Sequence, residues 1–233
     1  MNVDLFGVSG RSAKRSEQNV LCLPSFRVSG LLLAMVMAGS FGGCGATRPT
    51  QYYQLTVPAD EHHAEANASG ISLALGPLVT SHLYREDRIV FSSGPHQMGT
   101  YEFQRWTEPP AEMIEEVLLR ELRASSRYRE VFTQRSASRA DYVLRGRLYD
   151  FKEVTGSPLQ ARVTVEFELK DMKSGSTVWS HYYNHDEPVS GKDVPAMVAA
   201  LDHNVQRGVG EVKASLEQYF SSLPPSNNPG TDR

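Results

Sequence analysis

Apolar positions along this chain follow two periods, and the switches between them mark its elements. Val163, Val165, Phe167 and Leu169 alternate with Arg162, Thr164, Glu166 and Glu168. This is the two-residue period of a strand with one face on a core and the other in water. Ser174-Gly175, within 171–176, reads as a hairpin turn into another strand over 177–184. Upstream, 141–154 predicts a strand with Leu144 and Leu148 on one face, and Gly146 between them leaves room for a close neighbour. Shorter extended segments are predicted at Tyr52–Val57, Ile71–Leu75, Arg88–Phe91 and Thr100–Phe103, with a brief one at Val131-Phe132. Gly76-Pro77 breaks or bends the second of these, and Gly94-Pro95 turns between the next two.

The helical period appears twice. Pro109-Pro110 opens the first helix, Glu108 and Glu112 suit the positive end of its dipole, and Ile114, Val117, Leu118 and Leu122 share a face. In the second helix Asp193 is placed as N-cap and Pro195 lies in the first turn. Val194, Val198, Leu201, Val205, Val209, Val212, Leu216 and Tyr219 or Phe220 form one long stripe. Gly208 and Gly210 each weaken its interior by about 1 kcal/mol relative to Ala, a cost that burial of such a stripe offsets. The stripe packs on its own sheet or, alternatively, forms an oligomer seam. Strands then helix, repeated, predict an α+β two-layer sandwich: a mostly antiparallel sheet with two helices covering one face.

A third apolar run has no amphipathic period. Leu31–Ala38, preceded by Arg27, leads through Gly39-Ser40-Phe41-Gly42-Gly43 to Cys44. It is too short for a membrane-spanning helix of about 20 apolar residues, and it matches the apolar core of a secretory signal. With Cys44 directly after the small pair, it resembles a bacterial lipoprotein signal, departing from it at Phe41, where Leu is usual. The resemblance implies lipidation of Cys44, cleavage before it and acylation of the new terminus, with palmitate as the expected acyl group. The chain then divides into a signal peptide (1–43), a lipidated tether (44–51), a domain (52–221) and a disordered tail (222–233).

Charge and cysteine content narrow the function. Removing the leader, which carries four basic and two acidic residues, turns the net charge of −3 into −5. With no Lys/Arg cluster, nucleic acid is not an expected partner. The only cysteines are Cys22, in the leader, and Cys44, so the mature domain has no disulfide, thiol nucleophile or cysteine zinc site. No phosphate loop, dinucleotide fingerprint, nucleophile elbow or His-Glu-x-x-His occurs. His62-His63 sits in a polar loop, where adjacent imidazoles diverge. His181 and His185 share a strand face but stand ~13 Å apart along it, too far for one ion. Glu166 and Glu168, about 7 Å apart, read as solvated charges before they read as a catalytic pair. No catalytic residue, metal ligand or cofactor is assigned, and the expectation is a protein that is not an enzyme.

One segment is more specific. It runs His82-Leu83-Tyr84-Arg85-Glu86-Asp87-Arg88-Ile89-Val90-Phe91, then Tyr101-Glu102-Phe103-Gln104-Arg105-Trp106-Thr107-Glu108-Pro109-Pro110-Ala111-Glu112-Met113, and on through Leu119–Arg123. With the Tyr52-Tyr53-Gln54-Leu55 opening, it resembles the ABC-type transport auxiliary lipoproteins that accompany MCE (mammalian cell entry) lipid-transport systems. Thr107 and Phe91 depart from the usual Ala and Tyr. The resemblance implies an auxiliary role in moving lipid or another hydrophobic molecule between membranes. Its partners would be an MCE-domain protein and the permease and ATPase of an ABC transporter, with the lipid anchor holding the membrane and a homo-oligomer among the expected assemblies. Gly45 after Cys44, where Asp signals inner-membrane retention, favours the periplasmic side of the outer membrane. Arg85, Arg88 and Trp106 are the candidate partner- or ligand-binding residues, with packing the commoner role for Trp106 and a surface or structural ion pair the commoner role for each arginine. A periplasmic lipoprotein that binds or assembles outer-membrane components is the alternative.

Overall fold

A computed structural model describes residues 48–59, 70–125, 127–134 and 139–224. The predicted signal peptide, Cys44, the tether up to 47, most of the polar loop with His62-His63, and the tail beyond 224 lie outside the described residues. Eight strands form one sheet: β1 (Gln51–Tyr53), β2 (Ser72–Thr80), β3 (Arg88–Gly94), β4 (Gln97–Trp106), β5 (Glu130–Thr133), β6 (Tyr142–Val154), β7 (Gln160–Asp171) and β8 (Thr177–Pro188). Among the described residues two α-helices, α1 (Pro110–Arg123) and α2 (Val194–Ser222), complete an α+β fold.

Strand β6 is the hub. Antiparallel β7 pairs along its whole length and carries β8 beyond it. Its opposite edge is shared by β2 and β3, and the sheet continues from β2 to β5 and from β3 through β4 to β1. The long antiparallel ladders are the ones that two-residue alternation predicts. To these the structure adds parallel pairings of β2 with both β5 and β6, β3 with β6, and β1 with β4, so the sheet is mixed.

Two local outcomes differ from the sequence pattern. Gly76-Pro77 bends its strand rather than breaking it, so β2 runs past Leu75 to Thr80 and absorbs the pair as a register shift between Leu75 and Leu78. In the first extended segment only Gln51–Tyr53 pairs as a strand. The chain that follows is tied instead to α2, where Asp202 accepts from Thr56 N–H (2.9 Å) and Thr56 Oγ1 (2.7 Å), and Gln206 donates to the Thr56 carbonyl (2.7 Å).

Both helices lie on one face, α1 over β2 and β5 and α2 over β7 and β8. Asp193 caps α2 by accepting from Ala196 N–H at 2.9 Å. Leu201, Val205, Val209, Val212, Leu216 and Phe220 of its stripe are buried against the sheet of the same chain, so the stripe is core rather than an exposed seam. Each such side chain contributes about 1.5–3 kcal/mol. Two glycines are explained by close approach: a Cβ at Gly208 would meet the Tyr183 ring at 2.8 Å, and one at Gly146 would meet Leu78 at 2.5 Å.

Candidate functional site

The segment from Ser81 to Pro110 is where sequence places the most specific pattern, and its backbone explains that pattern. A single 3₁₀ turn, His82–Tyr84, buries Tyr84 and leads into β3. At the far end of β4, Trp106 N–H donates to the Asp87 carbonyl (2.6 Å) and Thr107 N–H to the Tyr53 carbonyl (2.8 Å). Three chain segments are thus knotted together where α1 begins. Pro109 takes the N-cap position with extended ψ, Pro110 needs no donor, and the Pro109 carbonyl accepts from Glu112 and Met113.

The three candidate residues are not brought to one surface. Trp106 is 1% exposed and packs on Phe151 with ring centroids 5.3 Å apart. Arg88 Nε lies 3.3 Å from a Glu86 carboxylate oxygen at the surface. Arg85 is exposed. The strongest pair of this region was not singled out from sequence: Arg105 donates to Asp87 at 2.7 Å.

A groove opens beside this knot, with a cavity volume of about 950 Å³. One wall is Glu108, in the turn before α1, with Glu112 and Glu116 on the helix itself, and the other is the extended chain at Gln54–Val57. Leu55, Leu75, Met113 and Leu119 make an apolar floor. Glu116 is tied to Arg120 at 2.6 Å, whereas Glu108 and Glu112 have no side-chain partner among the described residues. Their i, i+4, i+8 spacing was legible in the sequence, but only the fold shows that an apolar channel lies beside it. On the helix-free face, Tyr149 and Tyr182 are exposed with ring centroids 6.4 Å apart, and Tyr149 donates to Glu166 at 2.8 Å.

His181 and His185 remain apart in role. His181 stacks on Trp179 with an interplanar angle of 6°. His185 faces Glu187, whose carboxylate also meets His203 (3.1 Å) and Arg207 (2.9 Å). Burial alone would raise the Glu187 carboxyl; the His203 hydrogen bond and the Arg207 charge overcome it and hold the group below its ordinary value. Beside it, the bidentate Arg162 guanidinium (2.6 Å to each oxygen) holds Asp186 low as well. Among the described residues no group of His, Cys, Asp and Glu is arranged to hold a metal ion.

A family model described as the ABC-type transport auxiliary lipoprotein component matches residues 53–212. This chain belongs to that family. It shares its fold with a crystal structure of protein XCC0632 from Xanthomonas campestris, at 18% identity and TM-score 0.65, over 73% of this chain and 97% of that one. A second crystal structure, of an uncharacterised protein, matches at 12% identity and TM-score 0.59, over 72% and 99% of the two chains. No curated protein matches it. The match spans every strand but the start of β1, both walls of the groove and most of α2, so the groove belongs to the family's own domain rather than to an appendage.

Proposed function

We propose that this auxiliary lipoprotein is the membrane-tethered, non-enzymatic component of an MCE lipid-transport system. It stands on the periplasmic face of the outer membrane and docks the MCE protein there. The observation that carries the reading is the family match over 53–212, to which the sequence adds a lipoprotein signal ending at Cys44 and Gly45 after it. The domain supplies a rigid body with a charged, apolar-floored groove, and no described cluster has the geometry of a catalytic centre. Energy for transport would come from a separate ATPase, since the chain holds no phosphate loop.

Chemical crosslinking in native membranes, followed by identification of the captured proteins, tests the reading. Recovery of an MCE-domain subunit is the expected result. Capture of outer-membrane proteins with no MCE subunit would overturn it in favour of an assembly factor for outer-membrane components.

A further inference from the structure

The groove beside α1 has features that decide what it accepts. Its floor is apolar but shallow, Leu55, Leu75, Met113 and Leu119 each showing only 2–5% of their surface, and Val57 on the rim, 42% exposed, is the hydrophobic contact most open to solvent. The wall on the α1 side is mostly acidic: Glu108 in the turn before the helix, then Glu112, Glu115 and Glu116 on the helix, with Arg120 tied to Glu116 at its far end, and Glu108 and Glu112 unpaired among the described residues. That charge disfavours an anionic lipid headgroup. The sheet edge at the groove is also closed to an added strand. Strand β5 stops opposite Leu75; beyond it Pro77 has no N–H, and Leu78 N–H is already given to the Glu115 carboxylate. Recognition must therefore run through side chains.

We propose that this groove docks an amphipathic helix of a partner protein, laying apolar residues on Leu55, Leu75, Met113 and Leu119 and placing Lys or Arg, spaced three or four residues apart, against Glu108 and Glu112. An apolar face at helical spacing with a basic flank is the complement of an apolar channel with one acidic wall. This rests on the docking role proposed above and names the surface and the chemistry of the partner.

The test places a photo-reactive benzophenone side chain at Val57 of the full-length, membrane-anchored protein, with the same group at Tyr182 on the helix-free face as control. The expected adduct at Val57 lies in a basic, amphipathic helical segment of another protein. In Glu108→Lys/Glu112→Lys it should fall about tenfold or more at equal abundance, since charge reversal converts attraction to repulsion. Glu108→Gln/Glu112→Gln, which introduces no new charge, should give a smaller loss and guards against misfolding of the reversed variant. No adduct at Val57, an adduct on a second copy of this chain, an acidic or non-helical segment, or a yield indifferent to both pairs of substitutions would each overturn the groove. An MCE subunit captured from Tyr182 but not Val57 overturns the groove and leaves the docking role. A basic helix of some other protein captured at Val57 supports the groove and overturns the MCE assignment.

Discussion

Asn204 is the residue on which the seam between α2 and the sheet turns. Its amide donates to the carbonyls of Ala161 and His185 (2.9 Å each), and its oxygen accepts from Tyr183 Oη at 2.6 Å. Replacing it with Leu keeps the volume but removes the donor to two carbonyls, each costing about 1–3 kcal/mol when buried, and leaves the Tyr183 hydroxyl only the Asn204 main-chain carbonyl at 3.1 Å. Asn204→Leu should therefore destabilise the domain by about 3 kcal/mol or more in urea denaturation. A cost under 1 kcal/mol would mean that water reaches those groups. Acid titrates two carboxylates of β8, Glu187 facing α2 on this seam and Asp186 facing Arg162 on the opposite face of the sheet. Glu187 and Asp186 are held below their ordinary values of 4.5 and 3.8. The stability they give is complete above those values and is lost as pH falls through the lower folded ones. Stability should thus decline below about pH 4.5, and the decline should flatten in Glu187→Gln/Asp186→Asn. An unchanged acid limb would assign the loss to other carboxylates.

Two glycines on α2 separate intrinsic helix preference from packing. Gly210 has nothing within 4 Å of a built Cβ, whereas Gly208 faces Tyr183 at 2.8 Å. Gly210→Ala should stabilise by about 0.5–1 kcal/mol. Gly208→Ala gains the same preference but presses on a ring pinned by Asn204, and overpacking of about 1–3 kcal/mol outweighs it; thermal melts should move in opposite directions. From sequence both glycines read alike, because a helical pattern does not say which position meets a ring from another strand. The same limit explains what else was legible. The alternation in β7 and the stripe of α2 are local signals, and they gave the strand, the helix and their buried faces. The parallel placement of β2 between β5 and β6, and the strap from Thr56 to Asp202, depend on partners more than fifty residues away and left no periodic trace. The groove was half legible: the glutamate spacing lies in one continuous stretch, 108–116, but its apolar floor is assembled from three separate segments. Trp106 shows the converse, since the motif that identified the family places its most conspicuous side chain inside the core.

At the scale of the whole molecule, the domain and the tether answer different questions. No described helix is long and apolar enough to cross a membrane, and the core is assembled from residues between Leu55 and Phe220. A lipoprotein built this way should hold its membrane through acyl chains, each contributing about 0.8 kcal/mol per buried CH₂, with one chain marginal and more than one stable. Cys44→Ala is then expected to remove the acyl mass and leave the protein unprocessed or soluble. The purified domain should melt at the same temperature as the unmodified one, because its core begins eleven residues further on. On the docking role proposed above, transport should fail all the same, since a folded body free to diffuse would no longer fix its partner at one membrane. Mass spectrometry of the mature terminus, membrane fractionation and a transport assay on this one variant read the three consequences separately. Unchanged fractionation, with no acyl mass on the native protein, would overturn the tether. Lost anchoring with undiminished transport would instead show that docking needs the domain but not its attachment.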